Sequence, residues 1–264
     1  MPTTLSFVDC LAHLDDSRVE HREEFLLRAS EAGAVGVINA GVDPCNESWQ
    51  WSTTMKEPPV VYRAFGIHPL AVGRLPFDTH LNALKRRLGQ GSAVAIGEIG
   101  LDRRKGMPEI NAQKLMLNAQ LDLAEELRLP VILHCVRAHD QMVHLLRSRP
   151  HFLGRGWVHG FTGSWEVAQD YLSCGLSLSF GGLVTRPNSK KAKDVVKRVP
   201  LERLLLESDT PDHPAFGWEG VQSDPAAIPL IIEYIAQLRG ESREEISQSI
   251  TQNALGLLGL TSEG

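Results

Sequence analysis

Apolar residues along this chain gather into eight short runs: SFVD (6–9), AVGVIN (34–39), VVYRAFGI (60–67), AVAIGEIG (93–100), VILHC (131–135), GWVHGF (156–161), LSLSFG (176–181) and LLLES (204–208). Most are too continuously apolar to have only one buried face, the pattern of strands covered on both sides in a parallel sheet. A different period fills the intervals. In KLMLNAQLDLAEELRL (114–129), Leu117, Leu121 and Ala124 fall at i, i+4 and i+7 and form one apolar stripe of a helix. Strands alternating with helices predict an α/β fold, and eight repeats suit closure into a (β/α)8 TIM-type barrel better than an open doubly wound sheet, the other arrangement that this alternation allows. No glycine-rich phosphate loop, internal repeat or low-complexity linker interrupts the pattern, so residues 1–264 read as one barrel domain.

Composition narrows the setting. No apolar run is long enough to cross a bilayer, and MPTTLSFVDCLAHLDD has neither a basic leader nor a small-residue cleavage site, so a cytoplasmic protein with no membrane partner is expected. The four cysteines, Cys10, Cys45, Cys135 and Cys174, are scattered without a C-x-x-C pair, which favours reduced thiols over disulfides or a cysteine zinc site. A net charge of −5 argues against a dedicated nucleic-acid binder, although bound divalent cations would reverse that sign locally. The dense basic run RPNSKKAKDVVKR (186–198) reads as a solvated helix face. A monomer is expected.

In a barrel of this kind, function collects at the C-terminal ends of the strands. Those ends carry Asp9 and His13 after the first strand, His68 after the third, Glu98 after the fourth, His134 after the fifth, His159 after the sixth and Asp209 after the eighth. One histidine on a strand is ordinarily a packed residue. Imidazoles and carboxylates from six strands meeting at one rim are instead the ligand set of zinc, manganese or a related divalent ion. His21, His80, His139, His144, His151 and His213 fall in helices or loops and are assigned to structure or solvent. Arg137 and Asp140, three residues apart, allow either a helical ion pair or a substrate contact.

The motifs FVDxxxHLD (7–15), GIHP (66–69), GEIGLD (97–102) with Gln113 and Gln120 downstream, LPVILHCVRAHD (129–140), VHGFTGS (158–164), LLLESDTPD (204–212) and Asn253 resemble, over nearly the whole chain, the TatD-like metal-dependent deoxyribonucleases of the amidohydrolase-like barrel hydrolases. The resemblance implies one or two divalent ions (Mg, Mn or Zn). Glu98 would bridge them, with His13 and Asp209 on one and His134 and His159 on the other. It also implies hydrolysis of a phosphodiester, DNA cut from its end, by a metal-activated water whose proton passes to Asp209. His68 and Arg137 would hold phosphate oxygens, and Arg103, Arg104 and Lys105 could draw the backbone of the substrate toward the site.

One position departs from the family pattern. The family carries H-x-H, whereas this chain reads Leu11-Ala12-His13. Residues 11 and 13 share a strand face, so Leu11 directs an apolar side chain toward the place of the missing imidazole, and Cys10 should point away from it. A thiolate from Cys10 could replace the ligand only across a local bulge. The first metal position should therefore be weakened, while Glu98, His134 and His159 leave a three-ligand position with room for water, so a one-metal enzyme is conceivable. Two alternatives remain: hydrolysis of a small carbonyl ester or amide on the same metal, and a catalytically weakened barrel that binds or regulates.

Overall fold

The computed structural model describes residues 5–44, 59–149, 152 and 154–260. Cys45 and His151 lie outside the described residues. Eight parallel strands follow one another in chain order around one sheet: β1 (Phe7–Ala12), β2 (Ala34–Gly41), β3 (Val60–Phe65), β4 (Ala93–Asp102), β5 (Val131–Val136), β6 (Gly156–Val158), β7 (Ser177–Phe180) and β8 (Leu204–Leu206). Beyond β8 the chain pairs with β1: the Asp209 N–H donates to the Leu11 carbonyl (2.9 Å), the His13 N–H donates to the Thr210 carbonyl (2.8 Å), and Ala12 bridges Thr210 in parallel. The sheet thus closes on itself, and the open doubly wound arrangement is set aside.

The helices described are α1 (Arg22–Glu31), α2 (Phe77–Leu88), α3 (Ile110–Leu127), α4 (His139–Arg147), α5 (Trp165–Ser173), α6 (Lys190–Arg198), α7 (Ile228–Arg239) and α8 (Arg243–Leu258). Two apolar layers result from the alternation along each strand. Phe7, Phe65, Ile96, Leu133, Leu178 and Leu206 face the helices, whereas Val8, Ile38, Ala64, Ile132, Trp157 and Leu205 fill the barrel interior. The interior residues Ile132 and Trp157 each stand two positions before a rim histidine, His134 and His159. They form the floor of the site. The C-terminal helix closes the seam from below: Ser247 Oγ donates to the Ser6 carbonyl (2.5 Å), and Asn253 Nδ2 donates to the carbonyls of Leu201 (2.7 Å) and Leu204 (2.9 Å). The basic run keeps Lys190, Lys191, Lys197 and Arg198 exposed on α6 and buries Ala192, Val195 and Val196, the solvated helix face expected of it.

Two local features place the strands β1 and β4. Gly100 has φ 157° opposite His134, and a Cβ there would stand 1.9 Å from the His134 carbonyl oxygen, so only glycine lets β4 approach β5 this closely. In β1 the pairing slips between Asp9↔Val37 and Ala12↔Asn39, placing one extra residue in β1. The strand also runs three residues past the expected end at Asp9. Leu11 consequently joins the interior layer and is fully buried.

Candidate metal centre

Glu98, on β4, is 2 % exposed and stands at the centre of the rim. Four imidazoles surround its carboxylate. Its Oε1 lies 2.5 Å from His134 Nδ1, 2.6 Å from His159 Nε2 and 3.6 Å from His68 Nε2, and its Oε2 lies 3.2 Å from His13 Nε2. Asp209 closes the ring, with Oδ1 3.8 Å from His13 Nε2. The structure therefore brings together every predicted metal ligand: His13, Glu98, His134, His159 and Asp209.

The electrostatics follow from that crowding. Burial alone would raise Glu98, but His159, His68 and His134 hold its carboxyl well below the usual range. Burial alone would lower His13, yet Glu98 and Asp209 outweigh it and raise the imidazole to about 9. His134 and His159 are raised against burial by the same carboxylate. Asp209 goes the other way: burial, assisted by Glu207 and Glu98, pushes it up to about 7. In the metal-free protein the cluster is thus held together by protons.

Each histidine ring is fixed by what its other nitrogen does. His13 Nδ1 meets the Ala40 carbonyl at 2.9 Å. His134 Nε2 meets Asp102 Oδ2 at 3.0 Å, leaving Nδ1 to face Glu98. His159 Nδ1 faces Glu207 Oε1 at 3.5 Å, leaving Nε2 for the centre. His68 differs. Its Nδ1 accepts the Leu70 N–H (3.0 Å), so in the neutral ring the proton resides on Nε2, the nitrogen aimed at Glu98. Burial pushes His68 down to about 4, which keeps it neutral. His68 therefore offers the centre an N–H donor, not a lone pair. The Pro69 that follows it starts a short 3-10 turn, Pro69–Ala71, that supplies the Leu70 N–H.

These atoms suit a divalent cation. His134 Nδ1 and His159 Nε2 are 3.1 Å apart, close to the ~3.3 Å between ligands that tetrahedral zinc–nitrogen bonds of about 2.0–2.1 Å imply. Two groups of donors lie mutually within 4.8 Å: His68, Glu98 and His134, and His159, Glu207 and Asp209. The tautomer of His68 turns its donor hydrogen to the first group. In the second, Glu207 Oε1 already accepts the Gly160 N–H (2.6 Å), which makes Glu207 a support for His159.

Asp102 and Glu207 are the residues that sequence reasoning missed. Both are buried acids inside quoted motifs, GEIGLD and LLLESD, and a buried acid needs a partner. Asp9 takes no part in the ring, because its Oδ1 accepts the backbone N–H groups of Leu11 (3.2 Å) and Ser208 (2.9 Å). Cys10 is no substitute ligand: its Sγ is directed at the Val8 carbonyl (3.8 Å), and burial pushes the thiol well up. Gln113 and Gln120 are backbone clamps, pairing with the N–H and C=O of Asp102 and Ile67 beside the site.

Above the ring opens a cavity of about 1060 Å³ bordered by Arg18, Arg104, Arg137, His139, Lys191 and His213. His139 and His213 also border the cavity, and His139, the first residue of α4, pairs through Nδ1 with the Tyr171 hydroxyl (2.9 Å), the structural role expected of it. Of the others, His80 is fully buried against Asp43 (3.1 Å), and His21 and His144 are exposed. Arg104 is tied to Asp102 (2.5 Å), and Arg103 and Lys105 are exposed. Arg137 is not helical: it has φ 56°, precedes α4, and forms no ion pair with Asp140 among the described residues, so the helical ion-pair reading is corrected.

Comparison with known proteins decides the family. The sequence profile of the TatD related DNase family matches residues 8–259. The chain belongs to the TatD family. It is 35% identical over 259 residues to the metal-dependent hydrolase YjjV of Escherichia coli strain K12, covering 96% of this chain and 98% of that one. It is 32% identical over 248 residues to the 3'-5' ssDNA/RNA exonuclease TatD of Erwinia billingiae, covering 90% and 93%. The crystal structure of YjjV, a TatD homologue, superposes with a TM-score of 0.87 over 97% of this chain and 98% of that one, at 33% identity. This TatD-family protein is accordingly a metal-dependent hydrolase, and divalent metal is its cofactor.

For this TatD protein, metal and protons compete for the same atoms. The His13 proton is held to about pH 9 in the fold against 6.5 for the free side chain, so its contribution to stability is complete below pH 6.5 and is lost by pH 9. Asp209, about 7 against 3.8, loses its contribution in the same direction at lower pH. With chelator present, Tm should fall between pH 6.5 and 9. With saturating Mn²⁺ or Zn²⁺ the fall should vanish or reverse, as fewer protons oppose the metal. A Tm in chelator that rises across this range contradicts the account.

Proposed function

We propose that the protein removes nucleotides from the end of single-stranded nucleic acid by hydrolysing phosphodiesters, with Glu98, His134 and His159 holding the stronger metal position. His13, Glu98 and Asp209 form the weaker one. The observation that carries this reading is Glu98 encircled by four imidazoles, three of which face it with one ring nitrogen and an oxygen on the far side with the other. The name of the Erwinia billingiae relative supports the substrate class, and the cavity volume suits a terminal nucleotide. A bound divalent cation supplies a Lewis acid that polarises phosphoryl oxygen and acidifies water.

The residues of the chain do the rest. Asp209, held near 7 by burial, accepts a proton from the attacking water at its carboxylate. His68 donates its Nε2–H to a phosphate oxygen and does so in the neutral state. Arg137 borders the cavity, where its guanidinium would take a second oxygen. The apolar floor of Leu11, Ile132 and Trp157 keeps water from reaching the cluster from below. Free thiols at Cys10, Cys135 and Cys174 support a reducing, cytoplasmic setting for a single barrel domain.

The test is a substrate panel: end-labelled single-stranded DNA, RNA and duplex DNA alongside aryl esters and amides, each with Mn²⁺, Mg²⁺, Zn²⁺ or chelator. Metal-dependent, stepwise shortening of the single strands is expected, and activity on the carbonyl substrates alone would overturn the nuclease reading. Asp102→Asn addresses the support of His134. It should weaken metal binding by about 10- to 100-fold, readable by calorimetry, with the fold intact. Unchanged affinity would show that Asp102 does not set the ring.

A further inference from the structure

Beside the cavity, a groove of about 600 Å³ lies between the segment after β7 and the segment after β8, bordered by Arg186, Asn188, Pro214 and Phe216. The same two segments border the cavity itself, at Leu183 and Lys191 on one side and at Asp212 and His213 on the other. The groove therefore neighbours the cavity: Pro214 on its border directly follows His213 on the border of the cavity.

Phe216 is 67 % exposed, yet its backbone is firmly held. The Phe216 N–H donates to Thr185 Oγ1 (2.7 Å), and that buried hydroxyl donates to the Gly182 carbonyl (2.6 Å). At Gly182 a Cβ would stand 2.2 Å from the His213 carbonyl oxygen, so the two segments are locked at closest approach. The fold thus fixes this loop while leaving its aromatic ring in water. Arg186 and Lys191 form no salt bridge among the described residues. Elsewhere on the cavity border Arg18 is neutralised by Asp16 (2.8 Å) and Asp212 (2.9 Å), whereas Lys191 keeps its charge for a phosphate on the segment that also borders the groove.

We propose that this groove is a subsite for the nucleotides that follow the cleaved end of a single strand: a base stacks on Phe216, and Arg186 and Lys191 take the adjoining phosphates. The proposal rests on the nuclease reading above. Every base has a face that stacks, so an exposed aromatic beside unpaired cations binds single strands of any sequence, whereas a duplex keeps its base faces covered.

The test uses the metal-loaded enzyme with two substrates, a single-stranded oligonucleotide and bis(p-nitrophenyl) phosphate, which is a phosphodiester without a base. Phe216→Ala should raise KM for the oligonucleotide about tenfold, as loss of one stacked base does. Phe216→Trp should restore it, and neither variant should alter hydrolysis of the small diester. An abasic residue at the stacked position, found by scanning inward from the cleaved end, should cost the wild type a similar factor and Phe216→Ala nothing further. An unchanged oligonucleotide KM in Phe216→Ala overturns the subsite while leaving the nuclease reading in place, and so does an equal loss on both substrates. A wild-type enzyme that cleaves the small diester and no oligonucleotide overturns both.

Discussion

Replacing Glu98 with glutamine is expected to remove hydrolysis and to empty the metal centre together. Glutamine keeps the shape of the side chain and removes the charge that His13, His134 and His159 gather around. One end of the new amide also presents hydrogens where Oε1 or Oε2 accepted them, so it faces at least one imidazole nitrogen with the wrong polarity. Both proposed metal positions would share this carboxylate, and without its charge neither should hold a divalent ion inside the cavity. A fall in kcat/KM of about 10³-fold or more is expected, since the loss of a single preorganised electrostatic contact already costs 10²- to 10³-fold. Metal content after dialysis should drop to background. The fold should survive, because the Glu98 carboxylate faces the imidazoles of the site and the strand is anchored by Ile96 and Ile99 in the helix-facing core. Retention of a tenth of the activity would sink the bridging role.

Leu11→His is the second. The side chain lies in the interior layer, two residues before His13 and beside the floor residues Val8, Ile38 and Trp157. An imidazole there would be buried among apolar neighbours, so the metal-free variant should lose about 1–3 kcal/mol of stability, the cost of an unpartnered buried polar group. Metal reverses the sign. With Mn²⁺ or Zn²⁺ the new ligand should join His13, Glu98 and Asp209, tightening the weaker position by more than about tenfold. Calorimetry should then resolve two ions where the natural chain resolves one tight ion, and the span of Tm between chelated and metal-loaded protein should widen. If affinity is unchanged, Leu11 does not stand where the missing ligand belongs.

The strands were legible because a barrel strand buried on both faces must be apolar throughout, and few other structures produce eight such runs in order. Their ends were less so. GWVHGF reads as one strand to 161, whereas β6 stops at Val158: the His159 N–H still bonds to the Leu133 carbonyl (3.1 Å), but Gly160, at φ 55°, turns the chain away. β1 erred in the other direction, because the extra residue that carries Leu11 inward follows from pairing with β2 rather than from local pattern. At the site, ligand types and strand-end positions marked Asp9, His13, His68, Glu98, His134, His159 and Asp209, and the family resemblance implied that His13, Glu98, His134, His159 and Asp209 are the ligands among them. Their supports were hidden. Asp102 and Glu207 stand beside residues that already had a role, and only the folded barrel shows that each faces a histidine from another strand. The cavity border at His213 and the left-handed backbone of Arg137 likewise arise from how the loops fold over the rim.

The central claim is that a cation is held between Glu98 and its histidines. Anomalous diffraction from a crystal of hydrolytically active protein grown with Mn²⁺ or Zn²⁺ tests it most directly. The strongest peak should lie about 2.0–2.2 Å from a Glu98 oxygen, His134 Nδ1 and His159 Nε2, with any weaker peak beside His13 and Asp209. A map with no peak among these side chains, or with its main peak bonded to His68 Nε2, contradicts it.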